Sequence, residues 1–412
     1  MTRNESPSAV ATLGERVRRL RLAAGLTQTD LAARAGMASG AISMIENGRF
    51  DADADDIASL SDVLDCDPAY LLKAWPVDFD RPKLRAYADA PQRVVDRTMF
   101  DSVAAVEVIR AANLRVMPVS VPVFDGDLND DDAIDRIAAD TRTAAGLTST
   151  QVIPSVIRAA ERLGCLVLPL DGELGRHLGM SLTVDGTPVI RVARPSRDPE
   201  SDLPGDRQRF TVAHELGHLV LHAGATQPAA PAEAARMERE ANRFAAAFLV
   251  PGDSALEDLH HAGGRVTLGT MATLKQKWGY SIKAFVFRFR ELGVIDEAQA
   301  RSLYKQISAR RWNRDEPFRP GNESAVWLKK ALRERFPGPS GHDQAAEASG
   351  LGARYLSRWL DWEPTGTAMP AGELTVLPIR EVARPAPKGP ARIARLPVRP
   401  DPHADDNRQT PY

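Results

Sequence analysis

Cysteine is nearly absent: two in 412 residues, Cys66 and Cys165, far apart and outside any metal-type spacing. A disulfide scaffold is thereby excluded, and a cytoplasmic address is the expectation. Long apolar runs are also missing. None approaches the roughly 18–20 residues that span a bilayer, so no membrane partner is expected. The opening stretch "MTRNESPSAVATLGERVRRL" lacks an apolar core followed by a cleavage site, which argues against a secretory signal. Nor does one sign of charge dominate. The 53 basic and 55 acidic side chains leave a net charge of -2, which neither favours nor excludes a nucleic-acid partner. There is no internal repeat. What remains is an ordinary composition, 43% hydrophobic and 26% charged, in a chain long enough for two or three domains.

The order of patterns along the chain divides it. Residues 13–75 have a helical period broken by Gly and Asp signals. Residues 76–129 carry a long candidate helix, "QRVVDRTMFDSVAAVEVIRAANL", then "MPVSVPVFDGD", and read as a helical linker of 54 residues. Residues 130–331 run helix, helix, strands, helices. Residues 332–384 have no assignable role; within them "HDQAAEASGLGARYLSRWLDWEP" makes at best a short helical pair anchored by Trp359 and Trp362. Residues 385–412 are rich in Pro and Arg, bury little and read as a flexible tail. Its Arg392, Arg395 and Arg399 belong to a solvated segment rather than to a nucleic-acid contact.

The third region is a mixed layer. "DAIDRIAADTRTAAGL" puts Ile134, Ile137, Ala138 and Thr141 on one helical face. "TQVIPSVIRAAERLGCLVLPLD" reads as a helix to Leu163, a stop at Gly164 and a strand. "GMSLTVDGTPVIRVAR" reads as two strands joined at Asp185-Gly186, a hairpin turn. The expected fold is α+β: an all-α N-terminal module, then helices against one small antiparallel sheet.

Immediately downstream stands "RFTVAHELGHLVLHAG". A helix advances about 1.5 Å and 100° per residue. His214 and His218 therefore leave one face a turn apart, and both imidazoles can reach one ion. Glu215 is rotated one step and is the candidate general base. A third ligand is expected from "EAARMEREANRFAAAFLVP", a helical run stopped at Pro251. Its core stripe is Met237, Ala241, Phe244, Ala245 and Phe248. Glu238 and Asn242 are four apart: Glu238 can complete the metal and Asn242 can brace a ligand histidine. Glu240 is the rival ligand but points elsewhere on a regular helix. His222 continues the spacing of four, yet lies about 12 Å along the axis from His214, too far to share an ion with it. It reads as a satisfied, partly buried histidine, and His260 and His261 as loop residues without a catalytic role.

"RQRFTVAHELGHLVLH", "EREANRFAAAFLVP" and "WGYSIKAFVFRFRELGVIDEAQARSLYKQISARRW" together resemble the ImmA/IrrE family of zinc metallopeptidases across roughly residues 130–331. The resemblance implies a gluzincin-like peptidase fold. It also implies Zn2+ held by His214, His218 and Glu238, with Glu215 as catalytic base. Members of that family cleave transcriptional repressors or other regulatory proteins.

The N-terminal module divides into five short helices. Val17, Leu20 and Leu22 are apolar in the first; Thr27 caps the second; Gly36 stops it. The third runs from about Ser39 to Glu46 and ends at Asn47-Gly48. Ile57, Leu60, Val63 and Leu64 belong to a fourth, and "AYLL" to a fifth. Two short helices joined by a tight turn form a helix-turn-helix, whose second helix can enter the major groove. Thr27-Gln28, Leu31-Ala32, Gly36, Ile42-Ser43, Ile45-Glu46 and Gly48 resemble the XRE family of Cro/repressor-type domains. That resemblance implies operator DNA as partner, a possible homodimer, and Gln28, Ser39, Gly40 and Ser43 toward DNA, with Arg49 beside them. The position that usually caps the third helix is Ala38, and positions often basic in that family hold Ser39, Met44 and Asn47. Seven basic and ten acidic side chains between Leu13 and Trp75 leave -3. Arg16, Arg18, Arg19 and Arg49 are expected to form a local basic face.

The combined expectation is a DNA-binding regulator with a zinc-dependent endopeptidase domain. Glu215 takes a proton from the attacking water and passes it to the leaving amine. Tyr280, His222 and Arg209 are the candidates for stabilising the oxyanion, with no choice among them. Two alternatives stay open: a non-catalytic DNA-binding regulator whose zincin-like domain senses a metal or partner, and an antitoxin-like interaction protein.

Overall fold

A computed structural model describes residues 12–73, 90–128, 130–170, 177–194, 203–225 and 230–366, with Leu174, Pro228 and Met369 besides. The tail at 385–412 and its arginines lie outside the described residues.

Five helices open the chain: α1 (Leu13–Ala23), α2 (Gln28–Ala35), α3 (Ala41–Glu46), α4 (Ala54–Leu64) and α5 (Pro68–Leu72). Their ends are set by short-range chemistry. Thr27 and Asp30 form a reciprocal capping box on α2, and Asp53 and Asp56 form another on α4. Gly36 ends α2 in the left-handed conformation, at φ 67°. The third helix starts at Gly40 with no side-chain cap, because Ala38 and Gly40 offer no oxygen there. Val17, Leu20, Leu31, Ile42, Ile45, Leu60 and Leu64 close the bundle, each at 3% exposure or less.

Next come α6 (Gln92–Ala111), α7 (Asp131–Ala144) and α8 (Val156–Arg162), then β1 (Leu166–Leu170), β2 (Gly179–Val184) and β3 (Thr187–Ala193). Asp185 and Gly186 join β2 to β3 with φ of 46° and 74°, the two left-handed positions of a type I′ turn. The sheet order is β1-β3-β2. It is mixed, not antiparallel: β2 runs against β3, but β1 runs parallel to it, Leu166 beside Val189. Alternation within a strand shows which side chains share a face, but not which neighbour the strand will choose or in which direction. The remaining helices are α9 (Gly205–Leu221), α10 (Pro231–Leu249), α11 (Gly252–His261), α12 (Leu268–Trp278), α13 (Ile282–Glu291), α14 (Glu297–Ala309), α15 (Trp327–Arg335), α16 (Gly341–Ser349) and α17 (Ala353–Leu360).

The sheet divides two cores. On one face Val167, Ile190 and Val192 pack with α8, α9, α10 and α13. On the other, Leu166, Leu168, Leu182, Val184 and Val189 pack with α6, the five-helix bundle and α15–α17. The long α6 therefore has an internal place, lying along α1 and reaching β2, β3 and α16. Asp101 on α6 accepts from Arg191 of β3 and from Arg358 and Trp359 of α17, the indole at 2.8 Å. Trp359 and Trp362 are both buried. The α16–α17 junction reaches the bundle: Cys66 bridges Leu351, and the Asp67 amide donates to the Gly350 carbonyl at 2.8 Å.

Candidate metal centre and nucleic-acid face

The helices α9 and α10 pack closely against one another, and a small residue permits it. A Cβ on Gly217 would lie 3.0 Å from the Phe244 ring and 3.3 Å from the Ala241 carbonyl. This approach brings His214 and His218 of α9 to Glu238 of α10. The two Nε2 atoms are 3.1 Å apart, and each lies 3.4 Å from a Glu238 oxygen. Among the described residues these three form the one group of His, Cys, Asp or Glu whose ligand atoms converge within 4.8 Å.

The outer ring nitrogens fix which way each imidazole presents its lone pair. His214 Nδ1 faces Asn242 Oδ1 at 3.0 Å, so it carries the proton and leaves Nε2 as acceptor. His222 Nε2 donates to the Glu240 carboxylate at 3.0 Å, so its Nδ1 accepts from His218 Nδ1, also at 3.0 Å. That leaves His218 Nε2 as acceptor too. Two inward lone pairs and a carboxylate cannot satisfy each other; a cation between them can. The donor set thus fits a divalent metal with nitrogen and oxygen ligands. Without the metal, a proton takes part of that place. Burial opposes the charged form of His214, but the contact with Glu238, the charges of Glu215 and Glu238 and the bond to Asn242 together outweigh it and raise this imidazole above its ordinary range. Burial pushes His218 down to about 3, against the pull of Glu238. Glu238 is itself held well below the carboxylate range: burial raises it, and its close contacts and charge interactions with the two imidazoles together more than reverse that.

Glu215 leaves α9 toward the sheet. Alternation along β2 turns Met180, Leu182 and Val184 to the α6 core and Gly179 and Ser181 to α9. Ser181 Oγ donates to Glu215 Oε2 at 2.7 Å. A Cβ on Gly179 would meet Glu215 Cγ at 2.9 Å, so only glycine lets this strand pass so near the carboxylate. Neither role was marked by the motif around Glu215. The alternation in "GMSLTV" pairs the two residues, but the neighbour of that face is a long-range fact.

A cleft of about 780 Å³ opens over the centre, lined by His214, Glu215, Glu238, Asn242, Phe210, Phe287 and Tyr280, among others. The three oxyanion candidates separate here. Arg209 is buried and committed to Glu323 at 2.5 Å and the Ile153 carbonyl at 2.7 Å. His222 is engaged by His218 and Glu240. Tyr280 lines the cleft, and its hydroxyl has no hydrogen-bond partner among the described residues. Burial raises that phenol above its usual range, so it stays protonated, a donor.

Residues 160–290 match the family model of the IrrE N-terminal-like domain, a peptidase family, and residues 17–71 match a helix-turn-helix model. The chain is a fusion of these two. No curated protein matches it. The IrrE-like match begins in α8 and ends in α13, so it takes in the sheet, the His214–His218 helix and the Glu238 helix.

In the helix-turn-helix domain, Ser39, Gly40 and Arg49 are exposed around α3, and Ser43 is half-buried on it. Gln28 is held inward: its amide donates to Glu46 Oε2 at 2.7 Å, and Arg21 docks on the same carboxylate, Nε to Oε1 at 2.5 Å. The basic face expected from four arginines does not form. Arg16 and Arg19 are 3% and 9% exposed, turned toward the side of α1 that α6 covers, and Arg16 lies over the Tyr70 ring at 4.7 Å. Arg18 and Arg49 remain outside. No helix among the described residues is long and apolar enough to cross a membrane.

Proposed function

We propose that this protein is a DNA-binding regulator whose IrrE-like domain is a zinc endopeptidase acting on a repressor or another regulatory protein. The observation that carries this reading is the convergence of His214, His218 and Glu238 at the floor of a cleft that also holds Glu215. Zinc, when bound by those three side chains, acidifies water and polarises a carbonyl. Asn242, His222 and Glu240 keep the ligand rings oriented. Ser181 holds Glu215 by one carboxylate oxygen. The carboxylate takes a proton from the attacking water and delivers it to the leaving amine. Tyr280, whose buried hydroxyl is otherwise unspent, is the remaining candidate for a donor to the developing oxyanion. Strand β2 lies at the edge of the sheet beside this cleft and can align an extended substrate by main-chain pairing.

The test is incubation of the zinc-loaded protein with regulatory proteins that co-purify with it or are encoded beside it, parent against Glu215→Gln. Cleavage by the parent, with a loss of about 10²–10⁴-fold in the variant, is expected from removal of the base. Metal content should be equal in the two. Equal turnover by parent and variant removes Glu215 as base, and no cleavage of any partner leaves the metal-sensing alternative.

A further inference from the structure

The cleft over the metal centre does not end there. It runs into a second trough of about 560 Å³, and the two share Asp206, Arg207, Ser281, Lys283 and Tyr304. Each alone has the size of a small-ligand site. Joined, they form a channel that continues well past the reacting centre, as a polypeptide requires on either side of a scissile bond.

Its charge is one-sided. Arg207, Lys283 and Arg239 line the first part, and Arg207, Lys283 and Arg314 the second. All four are exposed, and none has an ion-pair partner among the described residues. The carboxylates of the lining are already engaged. Glu238 faces the two imidazoles and Glu215 accepts from Ser181. Asp206 and Glu316 share the buried Lys275 ammonium, each at 2.7 Å, and Glu316 also accepts from the Ile282 amide at 2.8 Å. Arg319 in the second trough is paired with Asp315. The available charge along the channel is therefore positive, while Phe210 and Phe287 give the part beside the metal centre an apolar wall.

We infer that the channel selects an extended polypeptide segment with an apolar residue at the metal centre and a run of Asp or Glu in the second trough. This rests on the peptidase reading and narrows its substrate class. A phosphate chain would meet the same cations, but it has no use for the apolar wall or for the sheet edge beside it.

Binding separates this inference from the peptidase reading. The zinc-loaded Glu215→Gln protein is titrated into fluorescently labelled peptides, and anisotropy is read. One peptide carries Asp and Glu on one side of a central Leu; a second has Asn and Gln in their place; a third has Lys. The acidic peptide should bind about tenfold more tightly than the neutral one at low salt, and the advantage should shrink as salt screens exposed pairs. The Arg207→Glu/Lys283→Glu protein should lose that preference and favour the Lys peptide. Arg314→Glu alone, far from the metal ligands in sequence, should lose part of it, and it serves if the double variant does not fold. Equal binding of acidic and neutral peptides overturns the inference, as does a preference that survives both variants. Displacement of the acidic peptide by a single-stranded oligonucleotide at lower concentration than by unlabelled peptide also overturns it. If the preference holds while the parent cleaves none of these peptides or any partner, the peptidase reading fails and the channel specificity stands.

Discussion

The candidate metal centre and the helix α3 are built on opposite plans. Around the metal, polar side chains are braced by others: His214 by Asn242, His218 by His222, His222 by Glu240, Glu215 by Ser181. Around α3, Ser39, Gly40 and Arg49 stand in solvent. The bracing there lies beneath the surface, where Arg21 and Gln28 grip Glu46. The difference follows from what each site must do. On the proposed function, chemistry on a peptide bond tolerates little misplacement, which accounts for groups fixed before substrate arrives. Groove reading needs only the helix fixed, since the side chains find their geometry against the bases and phosphates.

Removing the ligands should break this contrast most severely. His214→Ala and His218→Ala should each lose metal, and the double variant all of it, read by elemental analysis after dialysis. Stoichiometric zinc in the double variant would place the ion elsewhere. A braced plan also predicts loss from a residue that never touches the ion. Asn242→Ala should weaken metal affinity by roughly 10–100-fold, measured by competition with a chelator. An unchanged affinity would mean that the His214 ring is held by packing alone.

On the unbraced side the effects are smaller. Ser43→Glu should weaken operator binding by placing a like charge in the groove, in a mobility-shift titration against parent protein. With a module charge of -3, and with Arg16 and Arg19 buried, the salt dependence of the parent should be shallow, about 0.9 in log K per phosphate contacted. A steep slope, or a Ser43→Glu protein that binds as the parent does, removes α3 as the reading element.

The smallest effect concerns the joint between the two plans. Burial raises the Glu107 carboxyl on α6 above its usual range, opposed by the Tyr70 hydroxyl and by Arg16 and Arg19. The folded state therefore holds this proton more tightly than the unfolded chain. The stabilisation is complete below the unfolded value and is lost as pH rises through the folded one. Glu107→Gln should flatten stability against pH across that window in denaturant titrations. Identical slopes for parent and variant would show that this carboxyl titrates normally.

Much of this was legible in the chain because it is local. Thr27 and Gly36 set the ends of α2, Asp185-Gly186 sets a hairpin, and spacing of four places His214 above His218 and Glu238 above Asn242. Long-range facts were not. Nothing in "CLVLPL" states that β1 will lie parallel to β3. Arg16 and Arg19 look like surface charges until α6 covers them. Ser181 and Gly179 share a strand face, but only the packing of β2 against α9 gives that face a carboxylate to hold. The α6 stretch reads as a connector because its partners, the bundle, the sheet and α16, come from three distant parts of the chain.

The segment after α6 has a consequence of its own. Val116, Met117, Val119 and Val123 are exposed on an extended strap whose contacts include two main-chain bonds, Ser120 to Leu163 and Phe124 to Val220. A protease would find it readily. Yet a cut there severs only the covalent thread. The Asp101 cluster and the shared apolar layer still clamp α6 to β3 and α17, which belong to the other fragment. The product would be a nicked protein that migrates as one particle in native solution and as two bands once denatured. Release of the DNA-binding half would need that clamp to be opened, not the strap to be cut.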